Sequence, residues 1–104
     1  MSRGPDIGTA LTRAIAQQAR RADCPVEIIT ADWDQWASAT FIGARHQITL
    51  AAPLNPAIER WLGGLADAEF AISGHLVADL AINATRKSAG RVEADLEILT
   101  VETR

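Results

Sequence analysis

Apolar and polar residues alternate through the last third of the chain. From Phe70 onward one parity reads Phe70, Ile72, Gly74, Leu76, Ala78, Leu80 and Ile82, and the other Ala71, Ser73, His75, Val77, Asp79, Ala81 and Asn83. After Lys87-Ser88-Ala89-Gly90-Arg91 the alternation resumes. Val92, Ala94, Leu96, Ile98 and Thr100 share one parity, and Glu93, Asp95, Glu97, Leu99 and Val101 share the other. A period of two with one apolar face marks a half-buried antiparallel strand. Ser88-Ala89-Gly90 suits a three-residue hairpin loop that ends in the left-handed region, where glycine is favoured. Lys87 then faces Arg91, Ile82 pairs with Leu96, Leu80 with Ile98, Asp79 with Leu99, and Val77 with Val101. The parities agree on both strands, which supports the register, because a slip of one residue would expose the apolar set.

The first half of the chain yields a helix and two strands. Asp6 is an N-cap for a helix whose stripe is Ile7, Leu11, Ala14, Ile15, Gln18, Ala19 and Ala22. That helix ends near Asp23, since Pro25 disfavours helical geometry at Cys24. Val26 to Thr30 reads as a short first strand, and Asp32-Trp33-Asp34-Gln35-Trp36 as the connection to a second strand from about Ala37 to Leu50. In that second strand Thr40, Ile42, Ala44, His46, Ile48 and Leu50 share one parity, with Phe41, Gly43, Arg45, Gln47 and Thr49 on the other. Gly43 lies mid-strand, where glycine signals either a bulge or a close backbone approach. Asn55-Pro56 opens a second helix with the stripe Ile58, Trp61, Leu62 and Leu65, weakened at Gly63-Gly64 and ending near Asp67.

The element order is helix, strand, strand, helix, strand, strand. It predicts an α+β fold in two layers: a four-stranded, mainly antiparallel sheet with both helices on one face. A βαβ layout is disfavoured because the strands come in hairpin pairs. At 104 residues and 48% hydrophobic, the chain reads as one domain with a real core. Residues 1–5 read as disordered. The net charge of -3 weighs against nucleic acid, whose binding requires clustered cations. A strip of Arg13, Arg20, Arg21, Arg86, Lys87 and Arg91 is better read as solvated surface. The single cysteine, Cys24, excludes an intrachain disulfide, and neither a signal peptide nor a membrane-length apolar run is visible. The expectation is a cytoplasmic protein.

No catalytic, metal or cofactor motif stands out. His75 and Asp79 share a parity but lie about 13 Å apart along a strand, too far for a dyad. His46 meets His75 only if the second and third strands are neighbours and Gly43 flips the register. Trp33 and Trp36, flanked by Asp32 and Asp34, form either a binding lip or, the favoured reading, a cap on the core beside Trp61. A ligand site would draw on Trp33, Trp36, Arg45, His46, His75 and Asp79.

The face opposite the helices carries Phe41, Val77, Leu99 and Val101, an apolar surface suited to a homodimer interface. Glu93, Asp95 and Glu97 would lie at its rim, screened by Arg45 or by an arginine of the twin chain. The sequence therefore points to a non-catalytic binding or assembly module acting as a homodimer, with room for a protein partner. The alternative is a small ligand-binding protein or enzyme with its site near His46, His75 and Arg45.

Overall fold

The computed structural model describes residues 6–103, so the disorder expected of residues 1–5 lies outside the described residues. The elements are α1 (Ile7–Arg21), β1 (Glu27–Ala37), β2 (Ile42–Pro53), α2 (Pro56–Gly64) followed by a 3-10 turn (Leu65–Asp67), β3 (His75–Ser88) and β4 (Arg91–Glu102). This is the expected α+β order. The strands form one antiparallel sheet in the order β1-β2-β4-β3, so each hairpin places its second strand at the centre.

Both helices start where their caps require. Asp6 Oδ1 accepts from Thr9 N at 2.7 Å, and Asn55 Oδ1 accepts from Ile58 N at 2.9 Å, with Pro56 at the first helical position. α1 turns its stripe of Leu11, Ile15 and Ala19 onto the sheet, and Ile58, Trp61 and Leu65 descend beside it. They meet Ile48, Leu50 and Ala52 of β2 and Val92, Ala94, Leu96 and Ile98 of β4, all on one face. Trp61 Nε1 donates to Gln18 Oε1 at 3.0 Å and ties the two helices together. Each fully buried Leu or Ile in this layer contributes about 1.5–3 kcal/mol of transfer free energy. The opposite face of the sheet carries no helix.

The predicted core pairs are present: Ile82 opposes Leu96, Leu80 opposes Ile98, and Asp79 opposes Leu99. The turn differs. Ser88 opposes Arg91, leaving a two-residue loop in which Ala89 (φ 53°) and Gly90 (φ 75°) are both left-handed, the geometry that matches strand twist in a tight hairpin. The register nevertheless recovers, because β3 has 14 residues against 12 in β4 and absorbs the excess in two bulges. One lies between Ile82 and Ala84, the other between Val77 and Asp79. The second bulge reverses the parity of everything before it. Val77 therefore opposes Thr100 on the helix-bearing face, not Val101, and Leu76 takes the expected place opposite Val101. Val77 packs against the core and is withdrawn from the proposed interface.

β1 is also longer than expected. The Asp32–Trp36 stretch is not a connection but the middle of the strand, and the turn is Ser38–Phe41, closed by Ser38 N donating to Phe41 O at 2.8 Å. β1 is an edge strand, so its aspartates keep access to water, which removes the usual penalty of placing them in a sheet. Phe41 falls in that loop, 55% exposed. β2 runs without a bulge, so Gly43 serves the other purpose expected of a mid-strand glycine. A Cβ there would strike the Thr100 carbonyl and come within 2.8 Å of the Trp36 ring. The indole of Trp36 lies in the space a side chain would fill. Among the described residues no helix is long and apolar enough to cross a membrane.

Candidate functional site

Trp33 and His46 are directly opposed on β1 and β2 and point to the helix-bearing side of the sheet. Their rings stack with centroids 6.2 Å apart and planes inclined by 29°. His46 is buried, 1% exposed, and its Nε2 lies 2.9 Å from Thr100 Oγ1. Thr100 Oγ1 donates to Ala44 O at 3.4 Å, and a hydroxyl has one proton to give. His46 Nε2–H is therefore the donor to Thr100, and Nδ1 carries the lone pair. Burial, helped by the charge of His75, pushes the His46 pKa down to about 4. The imidazole is neutral at physiological pH.

Above this pair the first turn of α1 leaves a cavity of about 190 Å³, lined by Asp6, Thr9, Thr12, Asp32, Trp33 and His46 among others. Gly8 allows the close approach, since a Cβ there would lie 2.6 Å from the Trp33 ring. The cavity mixes an aromatic wall, two threonines, the Asp6 carboxylate and a neutral imidazole. It can hold a small polar group but has no nucleophile paired with a base. Asp6 is committed to Thr9 N, which holds its carboxyl below the usual range. No group of three or more His, Cys, Asp or Glu among the described residues is placed to hold a metal ion.

The six residues expected to share a ligand site are split among three places. Trp33 and His46 come together at the cavity. Trp36 lies on the opposite face over Gly43, its buried Nε1 without a hydrogen-bond partner among the described residues. Arg45 and Asp79 also belong to that opposite face, on either side of Leu99, in a shallow cleft with Glu97. Arg45 Nε lies 3.5 Å from Glu97 Oε2, an exposed pair. His75 is the third case. β4 stands between β2 and β3, and Gly43 does not flip β2, so the expected route to a histidine pair is closed. The bulge at Val77/Asp79 nevertheless turns His75 to the same face as His46, with Thr100 on the strand between them. His75 Nδ1 lies 3.2 Å from Ser73 O, so its ring is held at the sheet end rather than against His46. The tryptophans do not cap the core beside Trp61, because they point to opposite faces of β1.

The helix-free face divides into two halves. Towards the turn end Arg86 binds Asp95 with both guanidinium nitrogens, at 2.8 and 2.9 Å, and reaches Glu93 at 3.1 Å. Thr49 donates to Asp95 at 2.9 Å, and these bonds hold the Asp95 carboxyl down at about 2. Of the three acids expected at the rim, Glu97 is thus met by Arg45, one of the two expected sources, and Glu93 and Asp95 are screened by Arg86 of their own chain. Lys87 pairs with Glu59 and Arg91 with Glu27, which takes three cations out of the suggested basic strip. The other end is apolar in its last row, where Trp36, Val101 and Leu76 lie side by side with Leu76 58% exposed, and Leu99 adjoins them between Arg45 and Asp79. Phe41 lies at this same end, in a cleft with Glu102 and Thr103.

Sequence reasoning missed Asp6, Thr9 and Thr12 at the cavity and Thr100 as the partner of His46. Only the Asp6 cap gave a signal, by fixing where the first helical turn begins. The chain matches no protein-family model, and no curated protein is significantly similar to it.

Proposed function

We propose that this is a small cytosolic, non-catalytic binding or assembly module that acts as a homodimer through the helix-free face of its sheet. The observation that carries the reading is the apolar end of that face: Trp36, Val101 and Leu76, with Leu99 adjoining between Arg45 and Asp79 and Phe41 exposed in the loop at the same end. Exposed apolar surface rimmed by polar groups marks contact sites. A twofold axis through the patch sets each copy against the other and carries the two charged halves away in opposite directions. The internal pairing of Arg86 with Asp95 and Glu93 leaves those halves satisfied without a partner. The test is the mass in solution of Leu99→Asp and Val101→Asp, measured by light scattering at micromolar concentration. Both become monomers on this reading, since an unpaired buried carboxylate is costly. Variants that keep the mass of the unmodified protein overturn it.

A second reading, a small-ligand binder, is favoured by the cavity beside Trp33 and His46. Its volume and mixed lining suit a small polar molecule. Quenching or shift of Trp33 fluorescence on screening small amines and amides, lost in His46→Phe, is the observation that would raise it above the first.

A further inference from the structure

The two edges of the sheet are built differently. β3, on one side, is broken by two bulges that leave Ala78 and Asn83 between paired positions, and it carries Arg86 and Lys87. Bulges and cations are the ordinary means of preventing an edge from pairing with another strand. β1, on the other side, has one register shift near its start, between Ile28 and Thr30, and then runs regularly from Thr30 to Ala37. This run contains no proline, lysine, arginine or glycine. Nearly all of it is exposed, and among the described residues its backbone bonds only to β2. It therefore presents a row of open N–H and C=O groups.

Its charge decides what can pair there. The only ionisable residues of β1 are acids, Glu27, Asp32 and Asp34. Glu27 is matched by Arg91, whereas Asp32 and Asp34 have no ion pair among the described residues and stand side by side on the helix-free face. Antiparallel pairing of β1 with its own copy, with the helices of both on the same side of the joined sheet, is opposed by these charges. The two same-face registers of greatest overlap set Asp32 opposite Asp34, or Asp34 opposite its own copy. Like charges directly opposed across strands are destabilising. An incoming strand with Lys or Arg at alternate positions has the reverse balance, an ion pair at each aspartate on top of the backbone bonds.

From this we infer that the edge of β1 receives an extended basic segment of a partner protein as a fifth strand. Lys or Arg side chains on one face meet Asp32 and Asp34, and the intervening side chains lie on the helix-bearing side. There Trp33, 40% exposed, offers its ring, and the cavity beside Ala31, Asp32 and Trp33 receives one of them. Strand addition of this kind takes affinity from the main chain and specificity from alternate side chains. The edge adjoins the helix-free face at Trp36, but its open backbone groups are those of β1 alone, so this inference does not rest on the homodimer.

The experiment uses the whole chain, isotopically labelled, and a synthetic peptide of alternating lysine and valine. Amide shifts and exchange protection should appear in Thr30–Ala37 and be absent from His75–Ser88. Asp32→Asn with Asp34→Asn should weaken binding roughly tenfold. A peptide of the same sequence N-methylated at alternate residues should lose binding, because the charge is kept and the strand bonds are removed. Several results overturn the proposal: a Glu-Val peptide that binds as well, an N-methylated peptide that binds as well, protection located on β3, or no binding at millimolar peptide. Protection of Thr30–Ala37 that grows with protein concentration alone also overturns it, since a second copy would then be the occupant.

Discussion

His46 should make the protein sensitive to mild acid, and replacing it with phenylalanine should remove that sensitivity. The ring is buried, 1% exposed, between Trp33 and Thr100, and its folded pKa is about 4 against an ordinary value of 6.5. With the folded value lowered, the unfolded chain binds the proton first as pH falls. Stability is full above about pH 6.5 and is lost towards pH 4, by about 1.36 kcal/mol for each unit of the difference, or about 3 kcal/mol in all. His46→Phe keeps an aromatic ring against Trp33 and cannot titrate. It deprives Thr100 Oγ1 of its donor, while the hydroxyl still donates to Ala44 O, so at pH 7 the variant should be less stable by about 1 kcal/mol. At pH 4 it should be the more stable of the two by about 2 kcal/mol, so the two stability curves cross in between. Carboxylates that titrate in this range are common to both proteins and cancel in the difference. Urea unfolding followed by tryptophan fluorescence at a series of pH values measures both curves. Parallel curves would show that His46 is protonated in the fold as readily as in the unfolded chain, and would refute the reasoning from burial.

Leu80→Ala and Leu96→Ala should each destabilise by about 2–5 kcal/mol in denaturant melts, because both side chains are buried on the helix-bearing face. Gly43→Ala should cost about 1–3 kcal/mol and shift the fluorescence of Trp36, since the added methyl meets a fixed carbonyl and the indole. Cys24 is buried, its thiol donates to Ala19 O at 3.5 Å, and burial followed by the charge of Asp23 pushes its pKa up. Alkylation of Cys24 by iodoacetamide at pH 7 should therefore be slow in the folded protein and fast in urea.

How much of this was legible depended on whether the signal was local. The caps at Asp6 and Asn55, the helix stripes and the alternation of β2 and β4 are local patterns, and each led to the right element. The pairing of Leu80 with Ile98 came out right because two departures cancel: the loop is one residue shorter than expected, and the bulge between Ile82 and Ala84 restores the register. β1 was cut short because Asp32 and Asp34 resemble loop residues. Only the position of the strand at an edge makes them acceptable, and strand order is not written in the local sequence. The bulges in β3 leave no glycine or proline as a marker, so the parity of His75 and Val77 was carried through them unchanged and came out reversed. The one glycine that did suggest a bulge, Gly43, instead accommodates Trp36 from the neighbouring strand. The ligand site dispersed for the same reason. Trp33 and Trp36, three apart, fall on opposite faces of β1, whereas Trp33 and His46, 13 positions apart in the sequence, are stacked.

The proposed contact surface can be read directly from a sample in which labelled and unlabelled copies are mixed. Isotope-filtered intermolecular NOEs should join the methyl groups of Leu76, Leu99 and Val101 of one copy to the same end of the helix-free face in the other. Intermolecular NOEs that arise from α1, α2 or Thr30–Gln35 of β1, or none at concentrations where the mass is that of one chain, would contradict the account.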